Sequence, residues 1–258
     1  MGFIIFLILL VAIWQGGYWI GVELLHWWKP YAMPSPVGVA ESFLNLCEDG
    51  RLLEATANSL LRGIGGYAIA LATGVLLGLS IHRSNYLQKN LKPLILGIQT
   101  LPSVCWVPFS ILWFGLSTQA ILFVVVMGAA FSIAISVDNA IKNVQPIYTK
   151  AALTLGANKK QLYRYVIFPA CLPELVTGMK QGWSFAWRAL MAGEVMTTSI
   201  GLGQTLIMGR DLADINQVML VMLVIVLVGI IIDKCIFSIA ERRILSKRGL
   251  SGRNTDIE

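Results

Sequence analysis

The sequence predicts an all-α protein threaded several times through a lipid bilayer. Three observations carry that prediction. Residues 93–137 contain no charged side chain at all. Apolar residues make up 56% of the 258-residue chain, against 13% for Asp, Glu, Lys and Arg together. A soluble domain of this size needs far more polar surface to cover its core, whereas a bilayer is itself an apolar solvent. Finally, the basic residues gather in a few short segments between apolar runs, as they do in proteins that obey the positive-inside rule. The net charge of +6 therefore belongs to membrane topology. No soluble element carries the basic face that nucleic-acid binding requires.

About six spans of roughly 20 residues fit the apolar runs. The first covers residues 3–25. No Lys or Arg precedes it and no A-x-A site follows it, so it reads as a retained helix and not a cleaved leader. The second covers 60–81, uncharged from Gly63 until His82. The uncharged stretch after Pro93 is too long for one helix. Gly115, Ser117, Thr118 and Gln119 divide it into spans at 91–114 and 118–137. The fifth span covers 171–197, and the sixth covers 215–240 around the run 218–232.

Placing the N-terminus inside puts Arg83, Lys89, Lys92, Lys142, Lys150, Lys159, Lys160 and Arg164 inside. The tail 241–258 adds Arg242, Arg243, Lys247, Arg248 and Arg253. Only Lys29, Arg51 and Arg210 fall outside, with Arg62 near an interface. Both termini are therefore expected in the cytoplasm. Residues 26–58 and 198–214 then lie outside. Within the former, Val37, Ala40, Phe43, Leu44 and Cys47 follow a helical period and predict a helix lying on the membrane surface. The tail beyond Ser246 is polar and expected to fray.

Four cysteines, Cys47, Cys105, Cys171 and Cys235, show no C-x-x-C spacing and read as small apolar fillers, without a metal site or disulfide framework. His26 and His82 fall on opposite sides of the membrane and cannot share a catalytic site. A membrane-embedded enzyme is thereby disfavoured, and no catalytic, cofactor-binding or metal-binding residue is assigned. Gly65, Gly66, Gly74 and Gly78 predict close helix packing.

The cytoplasmic loop of about 140–170 is too long for a simple turn. Ala151, Ala152 and Leu155 give a smooth helical face. Gly156 stands where a helix ends in a positive-φ residue, with Ala157 after it. Asn158 can begin the next helix, and Pro169 and Pro173 constrain the approach to the fifth span. Such a face suits docking into a groove on a partner, although an ordinary amphipathic connector has the same pattern. Pro102 and Pro108 predict a kinked third helix, which either lines a pathway or only packs. In the fifth span, Trp183 and Trp187 share a face. Lys180 and Glu194 either reach towards opposite interfaces or face water. Arg188 is too central to reach an interface easily and is assigned to a pathway.

The segment Ala151-Ala152, three residues, Gly156-Ala157, then Pro169 and Pro173 resembles the cytoplasmic signature loop of binding-protein-dependent ABC importer permeases. Lys150 stands where the family pattern has Glu. Pro34-Ser35-Pro36, Asn58-Ser59-Leu60-Leu61-Arg62-Gly63, Leu101-Pro102-Ser103-Val104-Cys105-Trp106-Val107-Pro108 and the run from Gly182 to Glu194 resemble the sulfonate, nitrate, taurine and bicarbonate branch. The resemblance implies a single permease domain over 1–258, with a core at about 60–240 and a coupling loop at 148–165 inserted into an ATPase subunit. It also implies a second permease copy forming a homodimer, and an extracytoplasmic solute-binding protein. The chain has no Walker A sequence, so ATP is used on the partner subunit and no cofactor is expected here. The implied function is import of a small, anionic solute across the bacterial inner membrane; the alternative within the branch is a heterocyclic vitamin precursor. The expected pathway residues are Pro102, Trp106, Pro108, Trp183, Trp187, Arg188 and Glu194. An ion-coupled carrier working alone is the remaining rival and leaves the signature loop without a purpose.

Overall fold

A computed structural model describes residues 2–29 and 31–246; the predicted fraying of the tail after Ser246 falls outside them. Two compact units share the chain. One takes in the described part of Met1–Leu61 with Glu194–Val228, the other Arg62–Gly193 with the described part of Gly229–Glu258.

Helix α1 (Gly2–Tyr18) continues as a π-helical turn over Trp19–Leu24. Its large apolar side chains, from Ile4 to Ile13, are mostly exposed, which suits a helix solvated by lipid. The Trp14 indole N–H donates to the Pro34 carbonyl at 3.0 Å. Helix α2 (Pro36–Glu48) is the predicted surface helix. Pro36 opens it with a φ already suited to the first turn, and the Ser35 hydroxyl accepts from the Gly38 N–H at 2.9 Å. Val39 and Leu46 form its buried side.

Gly50, at φ +70°, turns the chain into α3 (Arg51–Arg83). Its 33 residues exceed the predicted span because nothing in the sequence breaks the helix where the hydrocarbon ends. Helix α4 (Asn85–Gln99) and helix α5 (Trp106–Phe114) replace the expected single kinked span. They are separated by a 3₁₀ turn at Ser103–Cys105 and bent by 96°. Pro102 has no N–H to donate and sits in extended backbone (φ −56°, ψ 139°), so the helical ladder breaks. Gly115, at φ +66°, ends α5, and the Ser117 hydroxyl caps α6 (Thr118–Lys142).

Helix α6 holds much of the second unit together. Val124, Val125, Ala129, Ile133, Ala134 and Val137 are buried on it. Two rows of small residues approach it. On α3, a Cβ at Gly74 or Gly78 would lie 2.6 Å from the carbonyl oxygen of Ala130 or Ala134. On α9 (Phe168–Val195), Gly178 and Gly182 meet Ser136 and Ile133. Backbones brought this close gain dispersion contacts where lipid supplies no hydrophobic drive. The predicted packing role of Gly66, Gly74 and Gly78 is thus observed; a Cβ at Gly65 would touch nothing within 4 Å.

Between α6 and α9 lie α7 (Pro146–Thr154) and a one-turn α8 (Lys159–Gln161), which widens into a π-helical segment at Leu162–Ile167. Pro169 cannot donate to the Tyr165 carbonyl, and the Phe168 N–H bonds to Tyr163, five residues back. Helical backbone is continuous from 159 to 195. Helix α10 (Leu202–Asp211) lies in the segment expected only as an outer connection. Its end is closed by Ala213 N–H to Arg210 and Asp214 N–H to Gly209, at 3.0 and 2.8 Å, with Ala213 at φ +56°. Helix α11 (Ile215–Ile232), a π segment at Asp233–Phe237 and α12 (Ser238–Ser246) form the last helical run.

Among the described residues, four helices are long and apolar enough to cross a membrane, or five if the bent α4–α5 pair is one span. The predicted fifth span differs in kind. It lies in α9, which is long enough to cross but carries Glu174, Lys180, Arg188 and Glu194.

Candidate functional site

The break at Pro102 opens a cavity of about 530 Å³. Gln99, Thr100, Pro102, Ser103 and Trp106 line it from the broken region. Met127, Gly128 and Ser132 line it from α6, and Gln181, Phe185 and Arg188 from α9. Arg188 is the one ionisable residue among the lining. Its Nε–H donates to the Ser184 carbonyl at 3.1 Å, and its guanidinium lies 4.8 Å from the Phe185 ring centre. The ring face and the carbonyl hold the group in place, while its terminal amino groups have no protein partner among the described residues. A fixed cation among amides and hydroxyls can bind an anion with oxygen acceptors.

Of the seven predicted pathway residues, Pro102, Trp106 and Arg188 meet at this cavity. Pro108 stands in the first turn of α5 and is not part of the lining. Trp183 and Trp187 do share a face, with rings stacked at 5.9 Å. Both are buried, and Trp183 meets the Tyr67 ring edge-on at 5.3 Å. They build the packed side of α9, with Arg188 on the cavity side. Glu194 does not reach for an interface. It is fully buried, accepting from the Ser59 hydroxyl at 2.7 and 2.9 Å and from the Gly203 N–H at 3.0 Å. Ser59 in turn accepts from the Leu202 N–H at 2.8 Å. This knot fastens the start of α10 to Glu194 and Ser59. Lys180 pairs with Asp233 at 3.1 Å.

The loop has the predicted local form. Helix α7 ends at Thr154, Gly156 has φ +82°, and Leu155 is 87% exposed, an unusually open position for a leucine. Asn158 opens the next helix through a reciprocal capping box with Gln161, each bond 2.9 Å. Ala151 is exposed and Ala152 and Ala157 partly so. Pro169 falls in the first turn of α9 and Pro173 one turn further on.

Sequence reasoning missed one cluster beside this loop. Asp138, fully buried, accepts from Lys92 Nζ at 2.7 Å and Lys142 Nζ at 2.8 Å. His82 Nδ1 stands 3.6 Å from its other oxygen. Lys92 also donates to Asn139. Asn143 at the end of α6 donates to Glu174 of α9 at 2.6 Å. The available signal was that Asp138 closes the uncharged run four residues before Lys142.

Residues 70–246 match the family described as binding-protein-dependent transport system inner membrane component. An ABC transporter permease protein of Methanocaldococcus jannaschii is 31% identical over 193 residues, covering 74% of this chain and 72% of that one. The taurine transport system permease protein TauC of Escherichia coli is 28% identical over 197 residues, covering 71% and 72%. Further relatives are named as permeases for aliphatic sulfonates, nitrate, riboflavin and formylaminopyrimidine. In fold, the chain is similar to the MetNI methionine ABC transporter in an inward-facing conformation. The TM-score is 0.60 at 20% identity, over 76% of this chain and 95% of that one. The chain belongs to the binding-protein-dependent transport system inner membrane components and is a multi-pass permease subunit of an ABC importer, not an enzyme.

Proposed function

We propose that this permease carries a small oxyanion, of the sulfonate, taurine, nitrate or bicarbonate type, past Arg188. The observation that carries the reading is the cavity's composition: one permanent cation, several neutral hydrogen-bonding side chains and no carboxylate. An anion gains a forked donor there and meets no like charge. Relatives named for taurine and nitrate support the same class. Direct binding assays on the partner solute-binding protein test it. Preference for a sulfonate, nitrate or bicarbonate supports the reading. Preference for a neutral heterocycle, such as the vitamin precursors of other relatives, overturns it.

In this reading two copies pair around the pathway, each docks one ATPase through residues 148–165, and both termini lie in the cytoplasm. The external binding protein delivers solute to the opposite face. Closure of the ATPase pair pushes the loops and switches access to the pathway.

Two predictions test the arrangement. In a cysteine-free background, an impermeant thiol reagent added outside should label Asp49→Cys and spare Lys160→Cys. The reverse pattern would invert the topology. Gly156→Val should assemble in the membrane yet lose most coupling between ATP hydrolysis and uptake. A β-branched residue at φ +82° is strained by roughly 1–3 kcal/mol, and relief of that strain re-aims the α7 face. Normal uptake by an assembled variant would remove this position from docking.

A further inference from the structure

A second cavity, also of about 530 Å³, lies in the same unit as the first and next to the loop. Its walls are Val75 and Leu79 of α3, Val137 and Ile141 of α6, Ile167 at the end of the π-helical segment, and Phe168, Cys171, Leu175 and Met179 of α9. These walls are apolar almost throughout. Lys160, Arg164 and His82 are the basic residues of the lining, which includes no carboxylate. His82 is turned towards Asp138, whereas Lys160 and Arg164 are exposed on the loop side of α9. Arg164 and Tyr163 belong to the π-helical segment, whose widened turn forms part of the wall. A dry apolar chamber with two exposed cations is amphiphilic in one particular sense. It suits an acyl chain with an anionic head. Water gains little there, and a soluble anion leaves the chamber itself unfilled.

We infer that this cavity is a binding site for an anionic phospholipid of the cytoplasmic leaflet, with an acyl chain between α3, α6 and α9 and the phosphate on Lys160 and Arg164. The leaflet assignment rests on the cytoplasmic placement of the loop proposed above. The lipid would wedge the start of α9 against α6, so membrane composition would bear on the element that leads from the loop to Arg188.

The test uses the full permease–ATPase complex in nanodiscs containing a trace of phosphatidylglycerol with a diazirine in its acyl chain. After photolysis, labelled residues are mapped by peptide mass spectrometry. Expected is labelling at Val75, Leu79, Ile167 and Cys171, about thirtyfold above that from the matching phosphatidylcholine probe, since each of the two basic residues near the surface favours an anionic head by roughly one kcal/mol. Lys160→Gln with Arg164→Gln, two positions that also lie in the docking segment and are therefore compared in complexes that retain the ATPase, should bring the two probes level, and excess glycerol phosphate should not compete. Equal labelling by both probes in the natural complex overturns the site. So does unchanged preference in the double variant, or displacement by glycerol phosphate, which would make the ligand a soluble anion. Placing the probe in only one leaflet separates the topology from the site. Strong labelling from the outer leaflet alone would refute the cytoplasmic assignment while retaining a lipid cavity.

Discussion

Arg188→Gln is expected to slow uptake of an anionic solute by about 10- to 100-fold, the loss of one charge-assisted hydrogen bond of about 1.5–3 kcal/mol. The side chain is held by the Ser184 carbonyl and the Phe185 ring, so its fork is placed before solute arrives. Gln keeps a donor of shorter reach and removes the charge. Arg188→Lys should recover only part of the rate, because an ammonium restores the charge without the planar pair of donors. Binding of solute to the external protein should not change in either variant. The measurement is initial uptake of labelled solute into proteoliposomes with ATP inside and the binding protein outside. Wild-type uptake by the Gln variant would take Arg188 out of the pathway.

Asp138→Ala should destabilise the permease by about 2–4 kcal/mol, read as a lower midpoint of unfolding in detergent. Removing the carboxylate leaves Lys92 and Lys142 facing one another with no anion between them. The range is kept below that for a wholly buried pair because Lys92 is 21% and Lys142 33% exposed, and both can turn partly to water. Asp138→Asn should fall in between, since the amide oxygen still accepts one bond. Replacing Lys92 by Met together with Asp138→Leu should recover part of the loss, as the unpaired cation goes with its partner. A midpoint unchanged in the Ala variant would show that the cluster contributes nothing to stability.

Much of this architecture is legible in the residues because lipid imposes a simple rule on them. The spans follow from uncharged runs, α2 from its period and from Ser35 and Pro36, and the loop from Gly156 and Asn158. What escaped reading depends on residues distant in sequence. Ser59 and Glu194 are 135 positions apart, and no local pattern marks a hydroxyl chosen to satisfy a carboxylate. The tryptophans at 183 and 187 were placed on one face, but which face meets the cavity is decided by Tyr67 and α6, not by spacing. Pro102 announced a bend; its size, 96°, reflects the further loss of helical backbone around Leu101. The uncharged run from Gly63 placed the second span at 60–81, whereas α3 begins at Arg51, because charge marks where the hydrocarbon ends, and a helix need not end there.

The π-helical turn at Leu162–Ile167 sets a phase relation along one continuous helix. Such a turn accommodates one residue more than an α-helical path of the same rise, and each residue advances the helix by about 100°. The face of Ala151, Ala152 and Leu155 lies before it and Arg188 after it. The angle between the docking face and the cavity-facing guanidinium is therefore set in part by this single extra residue, as a keyway cut into a shaft sets the angle of a wheel. A one-residue deletion there that restored α-helix would leave every downstream contact chemically intact but rotated. Arg188 would then turn out of the cavity, and the neighbouring positions of α9, Trp187 among them, would be re-indexed around it.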